Sequence, residues 1–285
     1  MRSQQVVVNG GVSLHVHGWD GGGTPLLLVH GLASNLHLWD GVAEALAHRG
    51  HAVAAVDLRG HGRSDNPDGG YDFATVTGDL VTLVGALGFE RPVVAGQSWG
   101  ANLVLELAWR HPELVRGVAC VDGGWIELDR RFPDWDDCAR ALTPPVTTGR
   151  AASEIEAWLR AAHPDWPETG IAGALACFEH LPDGTVRPWL SLQHHLAILR
   201  SLWEHRPSTR YAGVEVPVLL VPADPGPATG DPTGADDRRR QVEEAAASLS
   251  RSRVRWMPGD HDLHAQHPEQ VAALLHQCSD DGFFT

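Results

Sequence analysis

The sequence predicts an α/β protein with a mostly parallel sheet, helices on both faces, and a mainly helical segment inserted after the sixth strand. Three observations carry this. Over residues 1–122, short apolar runs such as PLLLV alternate with amphipathic stretches. An unbroken apolar run is how a strand buried on both faces reads, and βαβα order makes the sheet mostly parallel. Between residues 123 and 206 the rhythm stops; proline recurs, and six of the 11 tryptophans gather there. It resumes at VPVLLV, residues 216–221.

Each element has its own local cause. Residues 5–8 and 12–16 are expected as a hairpin about the Asn9-Gly10-Gly11 turn. Residues 25–29 form the next strand. Residues 36–48 read as a helix with Trp39, Val42, Ala43 and Leu46 on one face, stopped by Gly50. Strand 52–56, helix 73–87, strand 92–95, helix 99–110 and strand 117–121 follow. After strand 216–221 come a Pro/Gly/Asp-rich loop at 223–237, a helix over 238–249, a strand over 253–257 and a helix over 267–278. The SDDGFFT tail is expected to be loosely held. The chain thus divides into a core of 1–122 and 207–285 and an insertion of 123–206.

Composition narrows the function. With 285 residues, 43% of them hydrophobic, the chain can bury a sizeable core. A net charge of −14 argues against nucleic acid or an anionic membrane as the partner, since both need a basic footprint. A small-molecule substrate is expected, and a homodimer is compatible with it. All 22 basic residues are arginine, which excludes a lysine Schiff base and the P-loop lysine. The four cysteines lie far apart without CxxC, as in reduced, cytosolic proteins. The amino terminus lacks an apolar signal core, and no apolar run approaches the roughly 18 residues that span a bilayer. A cytoplasmic protein is expected.

The chemistry gathers at predicted strand ends. Gly96-Gln97-Ser98-Trp99-Gly100 is a G-x-S-x-G motif between a predicted strand and helix. The bare match says little in a chain of 31 glycines. The strand–turn–helix context is what a nucleophile elbow requires. A serine hydroxyl needs a base to take its proton. His261, in Gly259-Asp260-His261-Asp262, sits on the loop after the last predicted strand, where open α/β sheets place their sites. His264 competes on the same loop, and His267 falls at the next helix start. A carboxylate must orient the imidazole. Asp224 and Asp122 each follow a strand, and spacing does not choose between them. An acyl-transfer site also needs two backbone N–H groups for the oxyanion. Trp99 and Leu32, the latter in His30-Gly31-Leu32, are the expected donors.

Taken together, LLLVHGLASNLHLW, DLRGHGRSD, GQSWG, VPVLLV and PGDHDLHAQHPEQVAALL resemble the α/β-hydrolase fold superfamily over nearly the whole chain. The resemblance implies a cap for residues 123–206. It implies His261 as the catalytic histidine, seven residues before Pro268. It favours Asp224 as the acid, after the strand that usually delivers it, although PADPG departs from the usual G-x-x-D and the later matching position is Gly226. Asp122 is the alternative, used by some relatives. Relatives with a carboxylate nucleophile carry aspartate where Ser98 stands, so haloalkane dehalogenase and epoxide hydrolase chemistry is not expected. No metal site and no cofactor are expected. The implied activity is cleavage of a carboxylic ester or lactone of a small to medium apolar or aromatic substrate through an acyl-enzyme. A thioesterase, a C–C bond hydrolase, an acyltransferase and a non-hydrolytic ligand-binding or isomerising member remain as alternatives.

Overall fold

The apolar runs become the centre of an eight-stranded sheet in the computed structural model, which describes residues 1–224, 226 and 232–285. β1 (Arg2–Val7) and β2 (Ser13–Trp19) pair antiparallel about the Asn9 turn. β3 (Gly23–Val29) leads through a 3-10 turn, Leu36–Trp39, into α1 (Asp40–His48) and β4 (His51–Val56). α2 (Phe73–Ala86), β5 (Val93–Gln97), α3 (Trp99–Arg110) and β6 (Gly117–Val121) follow.

Between β6 and the next sheet strand lie α4 (Leu128–Arg131), α5 (Trp135–Leu142), α6 (Ala152–Ala162) and α7 (Glu168–Leu175). A small antiparallel hairpin, β7 (Phe178–His180) with β8 (Val186–Pro188), comes before α8 (Leu192–Glu204). The chain re-enters the sheet with β9 (Val218–Val221), then β10 (Ala223–Asp224), α9 (Pro232–Ser248), β11 (Ser252–Val254), β12 (Met257–Pro258), α10 (Leu263–Gln266) and α11 (Pro268–Asp280). No helix among the described residues is long and apolar enough to cross a membrane.

The sheet order is β1-β2-β4-β3-β5-β6-β9-β11, antiparallel only at the β1–β2–β4 end. Side chains alternate across it. Leu27 and Val29 enter the core on one face, with α2 and α3; Leu26 and Leu28 enter the other, with α1 and α11. All four are fully buried, so truncating any of the three leucines to alanine costs about 2–5 kcal/mol. Register then places the site. Val29 pairs with Gly96, Gln97 with Val121, and Val121 with Val221. His30, Ser98 and Asp122 therefore leave the sheet together at its carboxyl edge, the usual ligand edge of such sheets.

Several expectations need correction. The helix expected at 36–48 is split, because Asn35 Oδ1 accepts from the His37 N–H at 2.8 Å and starts a 3-10 turn before α1. No convincing buried strand was expected within 123–206; β7 and β8 pair there, but at three residues each they are too short to give a periodic apolar signal. The strand expected at 253–257 breaks in two, since β11 pairs with β9 while β12 pairs with β10. Of the expected loop at 223–237, residues 225 and 227–231 lie outside the described residues, and α9 begins at Pro232. The tail is not loose. Phe283 and Phe284 are buried, Phe284 packs where Gly117 leaves no room for a side chain, and Asp281 pairs with Arg253 at 2.6 Å.

Candidate active site

Ser98 sits between β5 and α3 with φ 55° and ψ −120°. For a non-glycine residue this backbone costs about 1–3 kcal/mol, and the surroundings hold it there. The Ser98 N–H donates to Val121 O at 3.0 Å, and the N–H groups of Ala101 and Asn102 donate to Ser98 O at 3.0 and 3.3 Å. The flanking glycines are needed for close approach. A Cβ on Gly96 would stand 2.2 Å from Gly100 O, and one on Gly100 would stand 2.4 Å from His30 O. The strand therefore turns sharply into the helix and leaves the serine side chain half-buried at the sheet edge.

His261 lies on the loop after β12. Its Nδ1 is 2.6 Å from Asp122 Oδ2, and half of its side chain is exposed. Asp122 is 4% exposed and lies at φ 40° just past β6. Its Oδ1 accepts from the Ala223 N–H at 3.0 Å, which fixes the carboxylate. Desolvation opposes protonation of His261, but the hydrogen bond and charge of Asp122, with a further contribution from Asp262, outweigh it. The imidazole pKa is raised above its usual value.

The expected partner, Asp224, does not make this contact. Its backbone does approach the loop, since it pairs with Pro258 and its carbonyl accepts from the Gly259 N–H at 3.1 Å. Its side chain is exposed and turns back to accept from the Gly226 N–H at 3.0 Å. The carboxylate on His261 comes from the neighbouring strand end because the kink at Asp122 aims that side chain across the sheet edge. His264 is also separate from the site. It is fully buried 4.4 Å from the Trp39 ring, and burial pushes its pKa down to about 3. His267 precedes Pro268 at the start of α11.

Gln97 was missed by the sequence reading. It is buried, and its Nε2 donates to His261 O at 3.0 Å, which ties the histidine loop to the residue before Ser98. Its place in the middle of G-x-S-x-G was the only available signal. Gly259, at φ 146°, lets the loop enter here, where a Cβ would stand 2.5 Å from Gln266 Oε1.

The loop after β3 is held by neutral histidines. The Leu58 N–H donates to His30 Nε2 at 2.9 Å, so His30 Nδ1 carries the proton and donates to Gly31 O at 2.7 Å. The Ala33 N–H donates to His61 Nε2 at 3.2 Å; burial lowers the His61 pKa to about 3 and keeps it an acceptor. The loop is thereby fixed on both sides of Leu32. Among the described residues, neither the Leu32 nor the Trp99 N–H donates to a protein acceptor, as oxyanion donors require.

Ser98, Leu32 and His261 line one cavity of about 250 Å³. Its outer wall comes from the insertion, chiefly Trp158, Leu159, Trp166 and Phe178. The Trp166 Nε1 donates to Asp260 Oδ2 at 2.8 Å and anchors that wall to the histidine loop. Cys177 also faces the cavity, but burial pushes its thiol up to about 12, so it is not a competing nucleophile. No arginine lines this cavity among the described residues.

Residues 24–163 match the family described as alpha/beta hydrolase fold. A 2-(acetamidomethylene)succinate hydrolase from Mesorhizobium japonicum is 30% identical over 206 residues, covering 70% of this chain and 70% of that protein. An uncharacterized protein of Mycobacterium tuberculosis is 36% identical over 109 residues, 38% of this chain; the match spans only 32% of that relative's length. The crystal structure of an E-2-(acetamidomethylene)succinate hydrolase superposes with a TM-score of 0.79 at 25% identity, covering 98% of this chain and 99% of the other.

Proposed function

We propose that this chain, which belongs to the alpha/beta hydrolase fold family, is a cofactor-independent serine hydrolase of small to medium apolar or aromatic carboxylic esters or lactones. One observation carries the reading. The elbow serine and His261 line one cavity, and a buried aspartate lies 2.6 Å from that imidazole. Ser98 Oγ attacks the substrate carbonyl as His261 Nε2 takes its proton. Asp122 holds the tautomer with Nδ1–H and stabilises the imidazolium that forms. The Leu32 and Trp99 N–H groups receive the oxyanion. His261 returns the proton to the leaving alcohol. Water, activated by the same imidazole, then releases the acyl group from Ser98.

Walls of Trp158, Leu159, Trp166 and Phe178 favour an apolar or aromatic acyl group, and we read residues 123–206 as a cap that supplies them. Four free cysteines fit a reducing, cytoplasmic setting. Incubation with p-nitrophenyl acetate should release nitrophenol in a burst equal to the enzyme concentration. A fluorophosphonate should label Ser98. Absence of both, across a series of ester chain lengths, would point instead to a binding protein.

A second reading, hydrolysis of a C–N bond, is favoured by the relative whose name gives an acetamido compound as its substrate. Arginine stands just outside the Ser98 cavity: Arg131 and Arg238 line a neighbouring cavity with His261, and Arg187 lines the one that shares Trp158, Cys177 and Phe178. Parallel assays of matched esters and amides separate the two.

A further inference from the structure

A second cluster of reactive side chains lies away from Ser98, where β2 meets the start of α1. His17 lies in β2, His37 in the 3-10 turn at Leu36–Trp39, and Asp40 at the first position of α1. Each offers one ligand atom, and these atoms all lie within 4.8 Å of one another. The sequence spacing hides this set, because the sheet rather than a local motif brings His17 to the other two.

Two of its polar atoms have no explanation within the fold. His17 is 5% exposed, and among the described residues neither its Nδ1 nor the buried Asp40 Oδ1 has a hydrogen-bond partner. Buried polar atoms are normally satisfied, so each exception calls for a cause. The third pairing in the cluster is made, with His37 Nδ1 and Asp40 Oδ2 2.7 Å apart. His15 lies beside His17, with ring centroids 4.9 Å apart, but both of its nitrogens are engaged, by Ser3 Oγ and by Asp57 Oδ2. It therefore closes the site on one side without entering it.

We propose that His17, His37 and Asp40 bind a divalent transition-metal cation of the Zn²⁺ class. Two imidazoles and one carboxylate suit zinc and its late first-row neighbours better than calcium or magnesium, which prefer oxygen. Bonds of about 2.0–2.2 Å require the three donors to close slightly around the ion. The half-buried side chains of His37 and Asp40 have room to do so. The cation takes the place of the proton shared between His37 and Asp40, and water completes its coordination. None of the three residues lines the Ser98 cavity. The site is therefore structural: it ties β2 to the segment that follows the Leu32 loop, and hydrolysis at Ser98 is independent of it.

The test uses full-length, untagged protein treated with EDTA and then dialysed free of chelator. Calorimetric titration with Zn²⁺ should show one saturable equivalent, and Co²⁺ should give the visible absorption of an imidazole-ligated ion. The melting temperature should rise on binding, as a ligand specific to the folded state requires. His37→Ala and Asp40→Asn each remove a ligand and should weaken Zn²⁺ binding by on the order of 100-fold or more, beyond the roughly 10–100-fold cost of losing an outer-shell partner, with unchanged ester hydrolysis and circular dichroism. The partly exposed residues are chosen because loss of buried His17 could unfold the hairpin. His276→Ala is the control, since His276 and His51 form a separate imidazole pair 2.9 Å apart. It should bind zinc as the parent does. Stoichiometric binding that survives both His37→Ala and Asp40→Asn would place the metal elsewhere and overturn the proposal, as would no saturable binding by the parent protein.

Discussion

β6 and β9 are neighbours in the sheet, and the chain carries an aspartate just beyond each. The two carboxylates meet opposite fates. Asp122 is buried, kinked at positive φ, held by the Ala223 N–H, and in contact with His261. Asp224 stays extended in β10, where its backbone serves the His261 loop while its side chain folds back on Gly226. One strand end supplies a side chain to the imidazole, and the next supplies only backbone. Asp122 directly follows β6 at φ 40°, whereas Asp224 lies three residues past β9 in extended β10.

The largest effects sharpen this comparison by removing the groups that the carboxylate serves. Ser98→Ala and His261→Ala should each lower ester hydrolysis by on the order of 10⁴-fold or more, with unchanged circular dichroism. Steady-state kinetics on p-nitrophenyl acetate measures both. A folded Ser98→Ala variant at the parent rate would end the serine mechanism and leave Asp122 with no catalytic task.

The backbone half of the comparison can be tested through Gln97. Gln97→Ala loses the hydrogen bond to His261 O, and kcat should fall by roughly tenfold with KM little changed, the signature of a lost transition-state contribution. Gln97→Glu keeps the shape but cannot donate, and it should fall alongside. Recovery of the parent rate by Gln97→Glu would mean that packing, not the hydrogen bond, holds the loop.

The pH profile is a finer probe. Only neutral His261 accepts the serine proton, so kcat/KM should fall as pH drops through the imidazole pKa. Because the folded value is raised, the acid limb should lie above the usual imidazole value of about 6.5. The residual activity of Asp122→Asn should show that limb at lower pH. A limb that ignores Asp122→Asn would show that another group raises the pKa.

His264, in α10 just after the His261 loop, provides the smallest effect and a nearby control. Its folded pKa is lowered to about 3, so the unfolded chain binds a proton there that the native state refuses. Its contribution to stability is lost as pH falls from about 6.5 toward 3. At pH 5 this amounts to on the order of 2 kcal/mol. Urea unfolding of His264→Leu should therefore show a smaller loss between pH 7 and pH 5 than the parent. An equal loss would place the acid-sensitive groups elsewhere.

Contiguous signals were legible in the sequence. The elbow was readable because its glycines, its serine and the flanking strand and helix occupy one short stretch. The buried strands were readable because Leu26–Val29 must be apolar on both faces. What could not be read depends on partners distant in the chain. Asp122 was ranked below Asp224 because Asp224 follows the strand that usually delivers the acid in the resembled fold, and the turn at φ 40° that brings Asp122 to His261 has no residue signature. The tail was expected to be loose because its partners, Gly117 and Arg253, lie far back in the chain. Gln97 was passed over because a glutamine between glycine and serine looks like filler until His261 O is placed beside it.

The most direct test of the central assignment is a paired measurement of kcat/KM for Asp122→Asn and Asp224→Asn on one p-nitrophenyl ester. Loss of the carboxylate that orients the imidazole costs about 10⁴-fold, and Asp122→Asn should show that loss. Asp224→Asn keeps the backbone contacts of β10 and should stay within about twofold of the parent, in the range of substitutions that touch no reacting group. The reverse pattern, with Asp224→Asn inactive and Asp122→Asn near the parent rate, would contradict the account.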